Sequence, residues 1–218
     1  MESLLIDGGT RLKGDVRISG AKNAVLPIMA ATLLTREKCT IKNVPELRDV
    51  NTMVRILRSL GAEVEFKRGT VTVKADKING IGDYDLIRQM RGSICILGPL
   101  LGRLGKAKVS VPGGCVIGVR PIDLHLKGMR ALGASIRTSQ GYVHASATKL
   151  KGSEMFLGGR SGPTVLGTAN VIMAATLSEG KTIIDSAACE PEVIDLCDFL
   201  KSMGAEISGV GSPTIRVN

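Results

Sequence analysis

Apolar and polar positions along this chain follow one pattern written three times. Arg55-Ile56-Leu57-Arg58-Ser59-Leu60-Gly61-Ala62-Glu63-Val64 returns as Lys127-Gly128-Met129-Arg130-Ala131-Leu132-Gly133-Ala134-Ser135-Ile136. It returns again as Asp198-Phe199-Leu200-Lys201-Ser202-Met203-Gly204-Ala205-Glu206-Ile207. The marker glycines 61, 133 and 204 are therefore 72 and 71 residues apart, and repetition at a fixed period signals repeated structural units. Each marker predicts an amphipathic helix closed by a C-terminal glycine, with a strand after it. Behind the first, 63–67 and 70–74 alternate with period two around Arg68-Gly69, the pattern of a hairpin. Residues 205–208 and 214–217 echo it in the third copy.

Ahead of each marker lies a second predicted helix, over 24–34, 93–104 and 165–177, nearly apolar and rich in small residues. A helix apolar on most sides is buried on most sides. Each of these runs through a polar turn into a short strand, at 39–41, 107–110 and 181–184. The unit thus reads helix–strand–helix–strand–strand, with a further strand in front. Three such units predict buried helices meeting at a pseudo-threefold centre with the sheets outside them.

Composition narrows the partners. Among 218 residues there are three Phe, two Tyr and no Trp, which predicts an aliphatic core and argues against a base-stacking nucleic-acid platform. The net charge of +9 calls for anionic partners. Because the cations recur beside glycine and proline rather than in a block, small phosphorylated ligands fit better than nucleic acid. Five cysteines at 39, 95, 115, 189 and 197 form neither CxxC nor Cys/His ligand spacings. That pattern disfavours a disulfide framework or structural zinc and favours a reducing compartment. The first residues lack a basic region leading into an apolar run, and no apolar stretch reaches the roughly 20 residues that span a bilayer. A cytoplasmic protein without membrane contact is the expectation.

Candidate chemistry collects in two places. The segment Val111-Pro112-Gly113-Gly114-Cys115-Val116-Ile117-Gly118-Val119-Arg120-Pro121 sets an unencumbered thiol among glycines, five residues before a fixed cation. On these residues alone it is either a reactive cysteine or a plain glycine-rich turn. The repeat weights the first reading. At the equivalent place the other copies have short acidic helix starts, Asn43-Val44-Pro45-Glu46-Leu47 and Cys189-Glu190-Pro191-Glu192, so this loop is special to copy two. The second place is Gly20-Ala21-Lys22-Asn23-Ala24, which opens the first apolar helix. Lys22 and Asn23 there are an anion site at free backbone N–H groups, or a solvated lysine beside an N-capping asparagine. Gln89-Met90-Arg91-Gly92-Ser93 and Arg160-Ser161-Gly162-Pro163-Thr164 stand in repeat register with it, and three such cations suggest a shared anionic pocket. Cys39, Cys95, Cys189 and Cys197 read as structural, while His125 and His144 receive no assignment.

These residues carry a resemblance. Gly20 to Ala24, Pro112 to Leu126, the three Leu/Met-Gly-Ala markers and Glu190-Pro191-Glu192 resemble the enolpyruvyl transferases along the whole chain. Within that family they look like the UDP-N-acetylglucosamine 1-carboxyvinyltransferases, which begin peptidoglycan synthesis; the shikimate-pathway branch lacks the cysteine loop. The resemblance implies transfer of the enolpyruvyl group of phosphoenolpyruvate to the sugar 3′-hydroxyl with phosphate release, and no metal or organic cofactor. It implies an inside-out α/β barrel of two lobes, each of three βαβαββ-type units, with the active site between them. Carried over, Lys22, Asn23 and Arg120 contact phosphoenolpyruvate. Arg91, Arg120, Pro121, Ile122, Asp123 and Leu124 contact the nucleotide sugar. Cys115 donates a proton to the methylene carbon, forms a covalent adduct and is the residue alkylated by fosfomycin. The 160–168 segment is longer than the family's usual one. The family's chains are about twice as long, so residues 1–20 are expected to belong to a second lobe and 21–218 to form the three-unit lobe. That second lobe would supply the aspartate base for the sugar hydroxyl and further arginines, leaving this chain incomplete alone. The alternative is a lobe that binds nucleotide sugar or phosphate without turnover.

Overall fold

The computed structural model describes residues 3–113, 121–160 and 162–218. Residues 3–19 are exposed and outside any helix or strand. The folded part begins at Gly20, whose backbone lies so close to the Asn43 carbonyl that a Cβ there would overlap it.

The first unit comprises α1 (Lys22–Ala31, continued by a 3-10 turn Thr32–Leu34), β1 (Lys38–Ile41), α2 (Arg48–Ser59), β2 (Glu63–Lys67) and β3 (Thr70–Lys74). The second runs through a short α3 (Tyr84–Arg88), a 3-10 segment Arg91–Ile96, α4 (Leu97–Leu104), β4 (Lys106–Ser110), α5 (Asp123–Ala131), β5 (Ser135–Ser139) and β6 (Tyr142–Ser146). The third has β7 (Glu154–Phe156), α6 (Val165–Ala175), β8 (Thr182–Asp185), α7 (Pro191–Ser202), β9 (Ile207–Ser208) and β10 (Thr214–Val217). Each unit has its own sheet, ordered β1-β3-β2, β4-β6-β5 and β7-β8-β10-β9.

Local chemistry explains the repeat. All three amphipathic helices end with a left-handed glycine, Gly61, Gly133 and Gly204, at φ 99°, 89° and 101°. The N–H of the following alanine reaches back to the carbonyl of Leu57, Met129 or Leu200, and the glycine N–H bonds Arg58, Arg130 or Lys201. That is the Schellman arrangement, which satisfies carbonyls a helix end would otherwise orphan. The β2–β3 hairpin turns at Arg68-Gly69, both at positive φ, as a two-residue turn matching strand twist requires.

Packing follows the hydrophobic pattern. From Ala24 to Ala31 every residue of α1 is buried, as is every residue of α6 from Gly167 to Ala175. These helices touch each other and the 3-10 segment, and α4 packs along α6. The sheets turn Val71 and Val73, Val109 and Val143, and Ile184 and Ile215 inward onto this helical centre. Among the described residues no helix is long and apolar enough to cross a membrane.

Two expectations need correcting. The 93–104 stretch is not one α-helix, because Pro99 has no N–H to give the carbonyl four residues back. Ser93 Oγ sits 2.6 Å from both the Ile87 and Met90 carbonyls, tying the first turn into a 3-10 conformation. The strand expected in front of each unit is β7 in the third, parallel to β8, and shrinks to a bridge from Ile81 to Lys108 in the second. Among the described residues the first unit has none.

Candidate active site at the helix starts

Lys22 and Asn23 are the first two residues of α1, whose N-cap, Ala21, has no capping side chain. Asn23 is thus inside the helix, and its capping role falls away. The first-turn N–H groups have no intrahelical acceptor, so this end is electropositive. Lys22 Nζ reaches Asp49 Oδ2 at 3.0 Å, linking the starts of α1 and α2. Both side chains are partly exposed, so the pair positions the ammonium more than it stabilises the fold.

Arg91 begins the 3-10 segment, and its Nη2 donates to the Pro121 carbonyl at 3.1 Å. That bond joins two stretches thirty residues apart. Leu26 of α1 packs over Gly92, and Leu124 packs over Gly159. Through these contacts the first turns of α1 and of the 3-10 segment, and the loop before α6, meet the segment leading into α5. Asp123 is the first residue of α5, where a carboxylate complements the helix dipole, and Ile122 and Leu124 are half-buried beside it. Arg160 is different from the other two cations. It lies in a tight turn closed by mutual hydrogen bonds between Gly159 and Gly162, and α6 starts only after Thr164, whose Oγ1 caps Gly167 N–H at 3.2 Å. Arg160 stands four residues before the Thr164 cap, off the helix start. Cys115 and Arg120 lie outside the described residues, as does Ser161.

Behind the helix starts is a polar group that the sequence reading left out. His125 is 1% exposed, and its Nδ1 is 3.0 Å from Asn170 Nδ2. The same Nδ2 donates to the Ile94 carbonyl at 2.8 Å, and Asn170 Oδ1 accepts from Gly98 N–H at 2.7 Å. One carboxamide on α6 therefore ties together the 3-10 segment, α4 and α5. Burial pushes the imidazole pKa down to about 4; the Arg91 guanidinium pushes the same way and Asp123 opposes it. The sequence signal was the lone asparagine in the apolar run Val165–Ala175. Cys95 and Cys197 are core residues, their thiols pushed up by burial to about 12 and about 11. Thiols that basic hold no thiolate at neutral pH.

The family model described as EPSP synthase (3-phosphoshikimate 1-carboxyvinyltransferase) matches residues 6–218. The chain belongs to this family. Among curated relatives it is 56% identical over 217 residues to the UDP-N-acetylglucosamine 1-carboxyvinyltransferase of Methylacidiphilum infernorum (isolate V4), covering 100% of this chain and 52% of the relative. It is 53% identical over 221 residues to the protein of the same name from Coxiella burnetii (strain Dugway 5J108-111), covering 50% of it. The chain spans about half the length of the curated relatives it matches. Among solved structures, the enolpyruvyl transferase NikO from Streptomyces tendae superposes with a TM-score of 0.82 at 24% identity, over 96% of this chain and 49% of that one. EPSP synthase from Acinetobacter baumannii superposes at 0.69 with 18% identity, over 94% of this chain and 46% of that one. At such identities the two structures establish a shared enolpyruvyl transferase fold.

Proposed function

We propose that this chain is one lobe of an enzyme that transfers the enolpyruvyl group of phosphoenolpyruvate to the 3′-hydroxyl of UDP-N-acetylglucosamine, releasing phosphate. The observation that carries the reading is its 51–56% identity, along its whole length, to several relatives named for that reaction. Three βαβαββ-type units with helices inside and sheets outside form the lobe in this reading, and residues 1–20 pack on the second lobe. The exposure of Leu4, Ile6, Leu12, Val16 and Ile18, each 79% or more, supports an apolar partner for that segment.

The chemistry follows from the groups at the helix starts. Lys22 and Asn23, with Arg120, hold the phosphate and carboxylate of phosphoenolpyruvate against the electropositive end of α1. Arg91 and the segment Pro121 to Leu124 hold the nucleotide sugar, and the hydrogen bond from Arg91 to Pro121 sets the two parts of that pad in register. Cys115 protonates the methylene carbon. That makes C2 of the enol phosphate electrophilic toward the sugar oxygen, whose proton goes to a base in the other lobe. The C2–O bond to phosphate then breaks and a proton leaves the methyl carbon, which restores the double bond. An acid must hold its proton. In this reading Lys22 and Arg120 favour thiolate, and the charge of bound phosphoenolpyruvate restores the thiol.

Calorimetric titration with UDP-N-acetylglucosamine is expected to show one-site binding that weakens at least tenfold in Arg91→Ala. Adding phosphoenolpyruvate to the mixture is expected to release no phosphate from this chain alone. Absence of nucleotide-sugar binding would overturn the substrate assignment. Phosphate release by the 218-residue chain would overturn its incompleteness.

A further inference from the structure

A cavity lies away from the helix starts, on the outward face of the β4-β6-β5 sheet. It holds about 670 Å³, within the 300–1,000 Å³ usual for small-molecule sites. Its polar wall is cationic. Cross-strand pairing sets Lys108 opposite His144 and His144 opposite Arg137, one residue from each strand. With strands about 4.8 Å apart, the row spans about 10 Å. Lys106 lies two residues before Lys108 and lines the same cavity. Ile78, Leu104 and Ile81 form its apolar side, and Ile81 is 61% exposed.

The sister sheets show that this charge is not a by-product of the fold. In the first unit the matching rows run Lys38–Lys74–Glu63 and Thr40–Thr72–Glu65, so carboxylates stand among the cations. In the third, Thr214 Oγ1 donates to Asp185 at 2.7 Å, and Glu154 stands opposite Ile183 beside Arg216. Strands β4, β5 and β6 contain no Asp or Glu. Among the described residues none of Lys106, Lys108 and Arg137 pairs with a carboxylate. Lys108 instead lies over the Tyr142 ring, 4.4 Å from its centroid, which holds its ammonium at the sheet surface. Lys108 and Arg137, on either side of His144 in one row and against an apolar wall, have no carboxylate between them.

We propose that this groove is a second anion site for a small organic phosphate of nucleotide size. Its phosphates lie along Lys108, His144 and Arg137, and its apolar body lies against Ile78, Ile81 and Leu104. The site is independent of the helix starts, since Lys22 and Arg91 lie on other elements and line no part of this cavity.

ATP and inorganic tripolyphosphate serve as probes in calorimetric titrations of the full chain. One-site ATP binding is expected, several-fold tighter than tripolyphosphate, and at least tenfold weaker in Lys108→Glu/Arg137→Glu. Lys38→Glu/Lys74→Glu, with the same change of net charge on the sister sheet, should stay within twofold of the unmodified chain. Should the first pair fail to fold, Lys106→Glu/Arg137→Glu, both exposed, carries the same expectation. Equal weakening by groove and sister-sheet pairs, no weakening by the groove pair, or no ATP binding would overturn the site. Tripolyphosphate binding as tightly as ATP would overturn the role of the apolar wall. A single-stranded oligonucleotide binding more tightly than either would replace the small ligand with nucleic acid.

Discussion

Asn170 settles the state of a neighbouring ring. Its Oδ1 accepts from Gly98 N–H, so its Nδ2 can only donate, and His125 Nδ1 must offer a lone pair. The imidazole proton is therefore on Nε2, and a second proton at Nδ1 would face an N–H group with no acceptor. Together with burial and Arg91 this keeps the ring neutral. Unfolded, the ring takes a proton near pH 6.5; folded, only near pH 4. Between these values the unfolded chain holds more protons, so stability rises with pH and is lost as pH falls from 6.5 toward 4. At pH 5 the loss is about 2 kcal/mol. Urea titrations at pH 7.5 and 5.0 should show His125→Gln losing less stability on acidification by about that amount. An equal loss in both proteins would contradict the neutral buried ring. The sequence reading left His125 unassigned because its partner sits 45 residues away on another helix.

Among the elements, closeness of the central helices rests on small residues. A Cβ on Gly98 would overlap the Asn170 carbonyl and lie 2.6 Å from its Oδ1, whereas one on Gly102, a turn further along α4, would meet Ala174 O at an ordinary 3.4 Å. Gly98→Ala should therefore push α4 from α6, break the Asn170 network and cost about 3 kcal/mol or more. Gly102→Ala should change stability by less than about 1 kcal/mol, since helix propensity favours alanine there. Chemical denaturation of both variants checks the contrast, and equal effects would refute close α4–α6 packing at Gly98. Elements of this kind were legible where the information is local. The hairpin at Arg68-Gly69 and the helix ends at Gly61, Gly133 and Gly204 follow from a few neighbouring residues. The break at Arg91–Ile96 was not, because Ser93 acts through carbonyls of the preceding turn that no periodicity marks. Nor was the row of Lys108, His144 and Arg137, which come from separate alternating strands.

For the whole molecule, the repeat brings together residues that the sequence could only rank. Lys22, Arg91 and the 121–124 segment were picked out by register and by resemblance, and their linkage through Leu26, Gly92 and the Pro121 carbonyl is tertiary. The expected third cation, Arg160, stands off the helix start, before the Thr164 cap. The chain thus offers two separate basic surfaces, one at the helix starts and one on the middle sheet. A ligand that tells them apart tests the central claim. Amide nuclear magnetic resonance of the chain during titration with UDP-N-acetylglucosamine should move the signals of Lys22, Asn23, Arg91 to Ser93 and Ile122 to His125, and leave those of β4 and β6 in place. Shifts confined to the sheet, or none at the helix starts, would contradict the account.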